Sequence, residues 1–485
     1  MGLKKLLIDS GLYTFCNVLV KGLNFILLPM YTAYLSAADY GVTGLMDSFR
    51  SVMGFVCIFS LNNAVMRFYF DYKGNQSEME RYVGTLFVFS VLSSLAWGIG
   101  FCIFQQWLMP ALFPGVSFWP TVAVSLLGLV FSTLYGHYQM LLRSMELARN
   151  FVFTSLLYFA LTTLLTIVFI VPLRLGADGV LAAQALANLV FAAYGIWDLS
   201  RRKMMRLCLD WNILKGMLLY SLPLMPHNLS THLSNLVSML LINGNGSLAA
   251  AGIYNLASKF GVIADTLQSS LNSAYQPWLF SQLKEDKDGL KDRVREFTEV
   301  LLWGLAAAFV VFGLFIQELI LAFLDASYAQ AWPLIPLIIM VYSVKTVYYF
   351  YVAVLFYYKK ASKFIFVATC TSSILNIALS VPLISLWGAY GSVAADAAAM
   401  ILRVAIVISI SKKFDDVGYR VGQFVRVTLV VCLTLTIGLF FSYTKFMYTI
   451  EPFNIAWKCV VFLVFLVFAC IVNRSYIARF VKKTK

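Results

Sequence analysis

LYTFCNVLVKGLNFILLPMYTAY, residues 12–34, holds no acid and a single base, Lys21, about ten residues in. At roughly 1.5 Å of helical rise per residue such a run crosses the hydrocarbon of a bilayer. A cation at mid-depth is expensive, and charges placed there face a protein interior or a water-filled path. Arg50 repeats the pattern in the next run, 40–63, and Lys259 and Lys345 do so in the second half.

The rest of the chain has the same texture. Its 485 residues are 61% hydrophobic and 12% charged, with a mean hydropathy of +0.81. Apolar runs fall at 12–34, 40–63, 82–104, 120–142, 150–172, 178–199 and 216–241, then at 250–282, 297–320, 333–356, 364–385, 388–410, 423–443 and 454–473. The expectation is an all-α polytopic membrane protein of about fourteen spanning helices. A barrel would instead show ten-residue stretches of alternating polarity.

An even count puts both termini on one side, and the basic residues choose it. Of the 37 Lys and Arg, 28 fall in loops on the side of the termini, whereas Arg174 and Lys445 alone fall opposite. Cytoplasmic loops carry this excess, so both termini are expected in the cytoplasm. The net charge of +14 is spread as short clusters beside apolar spans. Such clusters meet lipid headgroups, and no soluble domain is left to bind nucleic acid. The eight cysteines lie in spans or on the cytoplasmic side, so neither a disulfide framework nor a metal site is expected.

A basic seam at 200–215, SRRKMMRLCLDWNILK, suggests a cytoplasmic linker that lies in the interface as an amphipathic helix. It separates an N-terminal lobe, 1–199, from a C-terminal lobe, 216–411, leaving a helix pair and basic tail at 412–485. AADYGV at 37–42 and AAAGIY at 249–254 each enter the second helix of their half, a faint repeat that fits two related lobes.

Three longer stretches carry a resemblance: LLPMYTAYLSAADYGVTGLMDSF at 27–49, YSLPLMPHNLS at 220–230 and AGIYNLASKFGVIADTLQSSLNSAYQPWLF at 251–280. With them the chain resembles the oligosaccharide flippases of the polysaccharide-transporter branch of the multidrug/oligosaccharidyl-lipid/polysaccharide exporter superfamily. The resemblance implies two six-helix lobes around a central cavity that opens alternately to the two sides of a bacterial inner membrane. It implies as substrate an undecaprenyl-diphosphate-linked glycan, moved outward for O-antigen, capsule or exopolysaccharide assembly, with a polysaccharide polymerase or co-polymerase as a candidate partner. The related lipid II flippases place cavity-facing cations on their first, second and eighth helices, the helices of Lys21, Arg50 and Lys259 here.

The residues suit that task. A diphosphate needs fixed cations at mid-depth, so Lys21, Arg50, Lys259 and Lys345 are the candidate substrate-binding residues. Arg50 has a local alternative partner in Asp47, three residues earlier. Asp47, Asp265 and Asp396 are candidates for coupling to a proton or sodium gradient, with charge balance of the nearby cations as the alternative; no other cofactor is expected. Pro223 and Pro226 are candidate hinges, because each removes a backbone donor within the expected seventh helix. His227 and His232 beside them read as packing residues. Arg403, Arg426 and Lys458 lie nearer helix ends and are expected to snorkel.

An enzyme is not expected. The outer loops are short, the longest, 105–119, has no ionisable residue, and no phosphate-binding loop of the Walker type is present. Two other transporters stay open: a lipid II flippase, and a drug or cation antiporter of the same superfamily.

Overall fold

The computed structural model describes residues 3–285, 289–358 and 361–474. Among these the chain is helical throughout, with no strand. Fourteen long helices fall along the expected runs, two of them filling only part of theirs: α1 Leu3–Ile26, α2 Ala37–Val56, α3 Gln76–Ile103, α4 Ala123–Ser144, α5 Ala148–Ile170, α6 Gly176–Arg201, α7 Met225–Asn245 and α8 Leu248–Glu285. The remainder are α9 Leu290–Leu314, α10 Leu334–Tyr357, α11 Ser362–Trp387, α12 Ala389–Phe414, α13 Val421–Gly438 and α14 Pro452–Val472. Lys287, Lys359 and Lys360 of the basic loops, and the basic tail beyond Arg474, lie outside the described residues.

Eleven of these positions are long and apolar enough to cross a membrane; α2, α7 and α8 are the three that fall short. They are the ones bearing Asp47 and Arg50, His227 and Asn228, and Lys259, Asp265 and Gln268. A helix with such a polar stripe turns it toward protein or water. The chain is a multi-pass membrane protein whose polar helices are these three.

Two compact units share the chain, Met1–Gly252 and Ile253–Lys485. In the first, α6 packs on α4 and α5, α1 on α5, and α7 along α2. Its buried aromatics carry their hydroxyls to partners: Tyr82 donates to the Val65 carbonyl at 2.8 Å, and Tyr138 to Asp198 at 3.0 Å. The division falls beyond α7 because of that α2–α7 packing, and not at the 200–215 seam. In the second unit α12 packs on α10 and α11, and α13 on α9 and α14.

Three expected elements differ. The 40–63 run is not one helix: α2 stops at Val56, and a second segment starts at Asn62. Between them Phe59 and Ser60 take φ of 50° and 57°, while Ser93 of α3 donates to the freed Cys57 carbonyl. The 216–241 run is also two helices, Trp211–Ser221 and α7, joined by a 3-10 turn at Leu222–Leu224. The seam is no amphipathic helix. From Met204 to Asp210 it lies extended along the first turns of α3, with the Arg206 N–H on the Glu80 carbonyl at 3.1 Å and the Asp210 N–H on Thr85 at 2.9 Å. Gly84 makes the approach possible, since a Cβ there would stand 1.7 Å from the Arg206 carbonyl oxygen. Asp210 then caps the next helix through the Asn212 and Ile213 N–H groups. Those bonds and the nearby Arg81 hold its carboxyl below the usual range.

Candidate functional site

The cations of the first unit sit on α1 and α2. Lys21 is exposed on α1, six residues before the helix is interrupted at Leu27. Pro29 lies in the first turn of the next segment, Leu28–Tyr34, where its missing N–H is tolerated. Helix α2 opens on a capping box: Ser36 accepts from the Asp39 N–H, and Asp39 from the Ser36 N–H, each at 3.1 Å. Asp39 also receives the Ala177 N–H at 3.1 Å, fixing α2 to the start of α6.

Three turns on, Arg50 is nearly buried, with 13% of its side chain exposed against 37% for Asp47. Its Nη2 bonds to both Asp47 and Gln184 of α6. The local pair with Asp47 is therefore made, and Gln184 is a partner that sequence reasoning missed. Nε and Nη1 have no hydrogen bond among the described residues, so part of the fork stays open to an anion.

In the second unit the carboxylate near Lys259 goes elsewhere. Asp265 accepts from Lys345 of α10 at 2.6 Å and from the Tyr349 hydroxyl at 2.9 Å. Lys345 lies between the rings of Tyr342 and Tyr349, 5.0 and 5.6 Å from their centroids. Below it Gln268 donates to Thr346 at 2.5 Å and to the Tyr342 carbonyl at 2.6 Å, holding α8 to α10. Lys345 is thus neutralised, whereas Lys259 is exposed with no ion pair or hydrogen bond among the described residues.

Asp396 on α12 accepts from Asn376 of α11 at 2.7 Å. The Asn376 amide donates through its nitrogen, and its single oxygen and the Ser380 hydroxyl, one turn on, are buried without a partner among the described residues. Pro223 lies within the 3-10 turn and Pro226 in the first turn of α7, so neither stands in the interior of a long helix, where both were expected. His232 packs on Phe55 of α2, ring centroids 5.1 Å apart.

The three cations expected to snorkel each have a polar partner within the second unit. Arg403 stands near the middle of α12 and donates through Nε to Ser372 at 2.8 Å. Arg426 turns to Glu299, a 1% exposed carboxylate that also receives Gln423 at 2.5 Å and the Trp303 ring N–H at 3.1 Å. Lys458 is fully buried, 2.8 Å from Gln317 and 2.7 Å from Glu318. In each case a polar partner on a neighbouring helix removes the need to reach an interface, and a polar residue inside an apolar run was the only available signal.

The fold is that of known transporters. It is similar to a lipid II flippase, MurJ, in an inward closed conformation, at a TM-score of 0.70 and 15% identity over 97% of this chain and 100% of that one. It is similar to an inward-facing multidrug resistance MATE family transporter of the MOP superfamily, at 0.61 and 14% over 82% and 96%. A Vibrio cholerae MATE transporter matches at 0.55 and 15% over 86% and 98%. No curated protein matches the sequence. A family model described as "Polysaccharide biosynthesis protein" matches residues 33–333, from just before α2 to just before α10. With more than half of its length inside that match, the chain belongs to the polysaccharide biosynthesis protein family.

Proposed function

We propose that this chain is a flippase for an undecaprenyl-diphosphate-linked oligosaccharide, moving it from the inner to the outer leaflet of a bacterial inner membrane for O-antigen, capsule or exopolysaccharide assembly. The observation that carries the reading is the set of cations retained on long helices: Lys21 on α1, Arg50 with its part-open fork on α2, and Lys259 without a partner among the described residues on α8. A diphosphate crossing a medium of low dielectric needs such charges, and a hydrated path keeps them ionised. Lys345 joins them only when Asp265 releases it.

In this reading both termini are cytoplasmic, the lipid tail stays in the bilayer, and the glycan passes by alternating access. No step makes or breaks a covalent bond. Asp396, held by Asn376, is the carboxylate best supported for coupling to a proton or sodium gradient, because the amide that holds it keeps a buried oxygen without a partner among the described residues. A polymerase or co-polymerase on the outer side would take the product.

The test is mass spectrometry of undecaprenyl-linked species in inner membranes from depleted and complemented cells. Accumulation of a lipid-diphosphate oligosaccharide on depletion supports the reading and identifies the repeat unit. The likeness to a lipid II flippase over 97% of this chain and all of that one favours a second reading, and accumulation of lipid II would select it. No change in either pool would overturn both and turn attention to a drug or cation antiporter.

A further inference from the structure

The second unit holds a cavity of about 660 Å³ between two of its inter-helix connections. One wall comes from the connection between α9 and α10, with Leu324, Asp325 and Gln330; the other comes from the turn between α13 and α14, with Tyr448 and Ile450. The walls are fastened to each other. Gln317, fully buried, donates to the Phe446 carbonyl, and the Trp332 ring N–H donates to the Met447 carbonyl at 2.7 Å. The Tyr443 hydroxyl reaches the Pro333 carbonyl at 2.7 Å, and buried Lys458 ties α14 to Gln317 and Glu318. The cavity is therefore preformed, and a ligand would not have to order its walls.

Its chemistry is specific. Asp325 accepts through Oδ1 from the Ser327 N–H at 2.9 Å and hydroxyl at 2.7 Å, while Oδ2 has no hydrogen bond among the described residues. Those two bonds hold the carboxyl below the usual range, so the group is charged at any physiological pH. Gln330 is exposed and offers an amide with both donors and an acceptor. The Tyr448 ring, 52% exposed, adds a flat apolar face next to Ile450. No Lys or Arg lines the cavity.

A carboxylate, an amide and an open aromatic face suit a pyranose: its hydroxyls bond to the first two, and its C–H face rests on the third. The lone negative charge favours an amine and repels an acid. We propose that this cavity is a glycan subsite selective for uncharged or amino-sugar units over uronic acids. It rests on the flippase reading for the source of the glycan, which it would receive on the outer side as the diphosphate is released.

Saturation-transfer NMR on the full chain in lipid nanodiscs, free of sugar detergents, tests the subsite without reference to transport. The probes are the methyl glycosides of N-acetylglucosamine, glucosamine and glucuronic acid. We expect transfer to the first two and none to the third. Tyr448→Ala, at an exposed position, should keep the wild-type melting curve and weaken binding of the first two at least tenfold. Asp325→Asn should abolish the preference for glucosamine over N-acetylglucosamine. Should Tyr448→Ala unfold, Gln330→Ala serves as the second variant, with the same expected loss. Absence of transfer from every glycoside, equal binding of the glucuronide, or unchanged binding in Tyr448→Ala with Gln330→Ala would overturn the proposal. Glycoside binding together with unchanged lipid pools on depletion would leave the subsite standing and remove the flippase reading.

Discussion

Gly41 and Gly252 bring the start of α2 against the first turn of α8 by having no side chains. A Cβ on Gly41 would stand 1.9 Å from the Leu248 carbonyl oxygen, and one on Gly252 would stand 1.8 Å from the Ala37 carbonyl oxygen. Both partners are backbone, so neither can swing aside, and the crossing is of the small-residue kind that membrane helices use. Gly41→Ala or Gly252→Ala should each cost at least the ~1–3 kcal/mol typical of overpacking. Detergent-solubilised protein should show a clear loss of monodisperse material by size exclusion. Gly98→Ala, with nothing within 4 Å, is the control that should leave it unchanged.

These two glycines belong to AADYGV and AAAGIY, the faint repeat in the sequence. What was legible there was the matched spacing; that the two copies touch was not, because period and composition carry no information on which helices cross. The helix positions were legible for the same reason, hydrophobic length being set by the bilayer. The break at Cys57–Leu61 was not, since neither Gly nor Pro marks it and the bond that takes up the Cys57 carbonyl comes from Ser93 on another helix. Of the candidate cations, Lys21 and Arg50 could be found from depth alone. The Asp265–Lys345 pair, 80 residues apart in the chain, could not, and Gln184 and Asn376 gave no signal beyond being polar in an apolar run.

Phe59 and Ser60 occupy the left-handed region in the break of α2, where a side chain costs about 1–2 kcal/mol per residue. The Ser60 hydroxyl is buried and has no partner among the described residues, so Ser60→Gly removes strain and loses no bond. The expected result is a melting temperature raised by a few degrees, read on purified protein; a lower value would mean that the hydroxyl has a structural role.

Lys458 and Glu318 make a pair inside the second unit, the ammonium fully buried and 16% of the carboxylate side chain exposed. Removing one partner of a buried pair strands the other charge and costs about 3–5 kcal/mol. Lys458→Met alone should therefore depress the melting temperature strongly, and adding Glu318→Gln should recover part of the loss. The Gln317 and Trp332 links to the α13–α14 turn should loosen in the single variant, seen as faster amide exchange at Phe446 and Met447.

Lys345 and Lys259 allow the charge requirement of transport to be separated from stability. Lys345 is 19% exposed and paired with Asp265, so Lys345→Met leaves that carboxylate with only Tyr349 and should lower stability, though by less than a fully buried pair would. The double variant with Asp265→Asn should regain stability. Lys259 has no partner to strand, so Lys259→Ala should leave the melting curve where it was. If the ammonium meets a lipid diphosphate, the same variant should nevertheless accumulate lipid-linked oligosaccharide in a depleted strain, with Lys259→Arg restoring export and Lys259→Glu worse than Ala. Arg50→Ala should behave as Lys259→Ala does in transport, while its freed Asp47 and Gln184 partners add a stability loss that Lys259→Ala does not share. Wild-type export by Lys259→Ala at wild-type abundance would remove α8 from the path of the phosphate and leave the first unit to carry it.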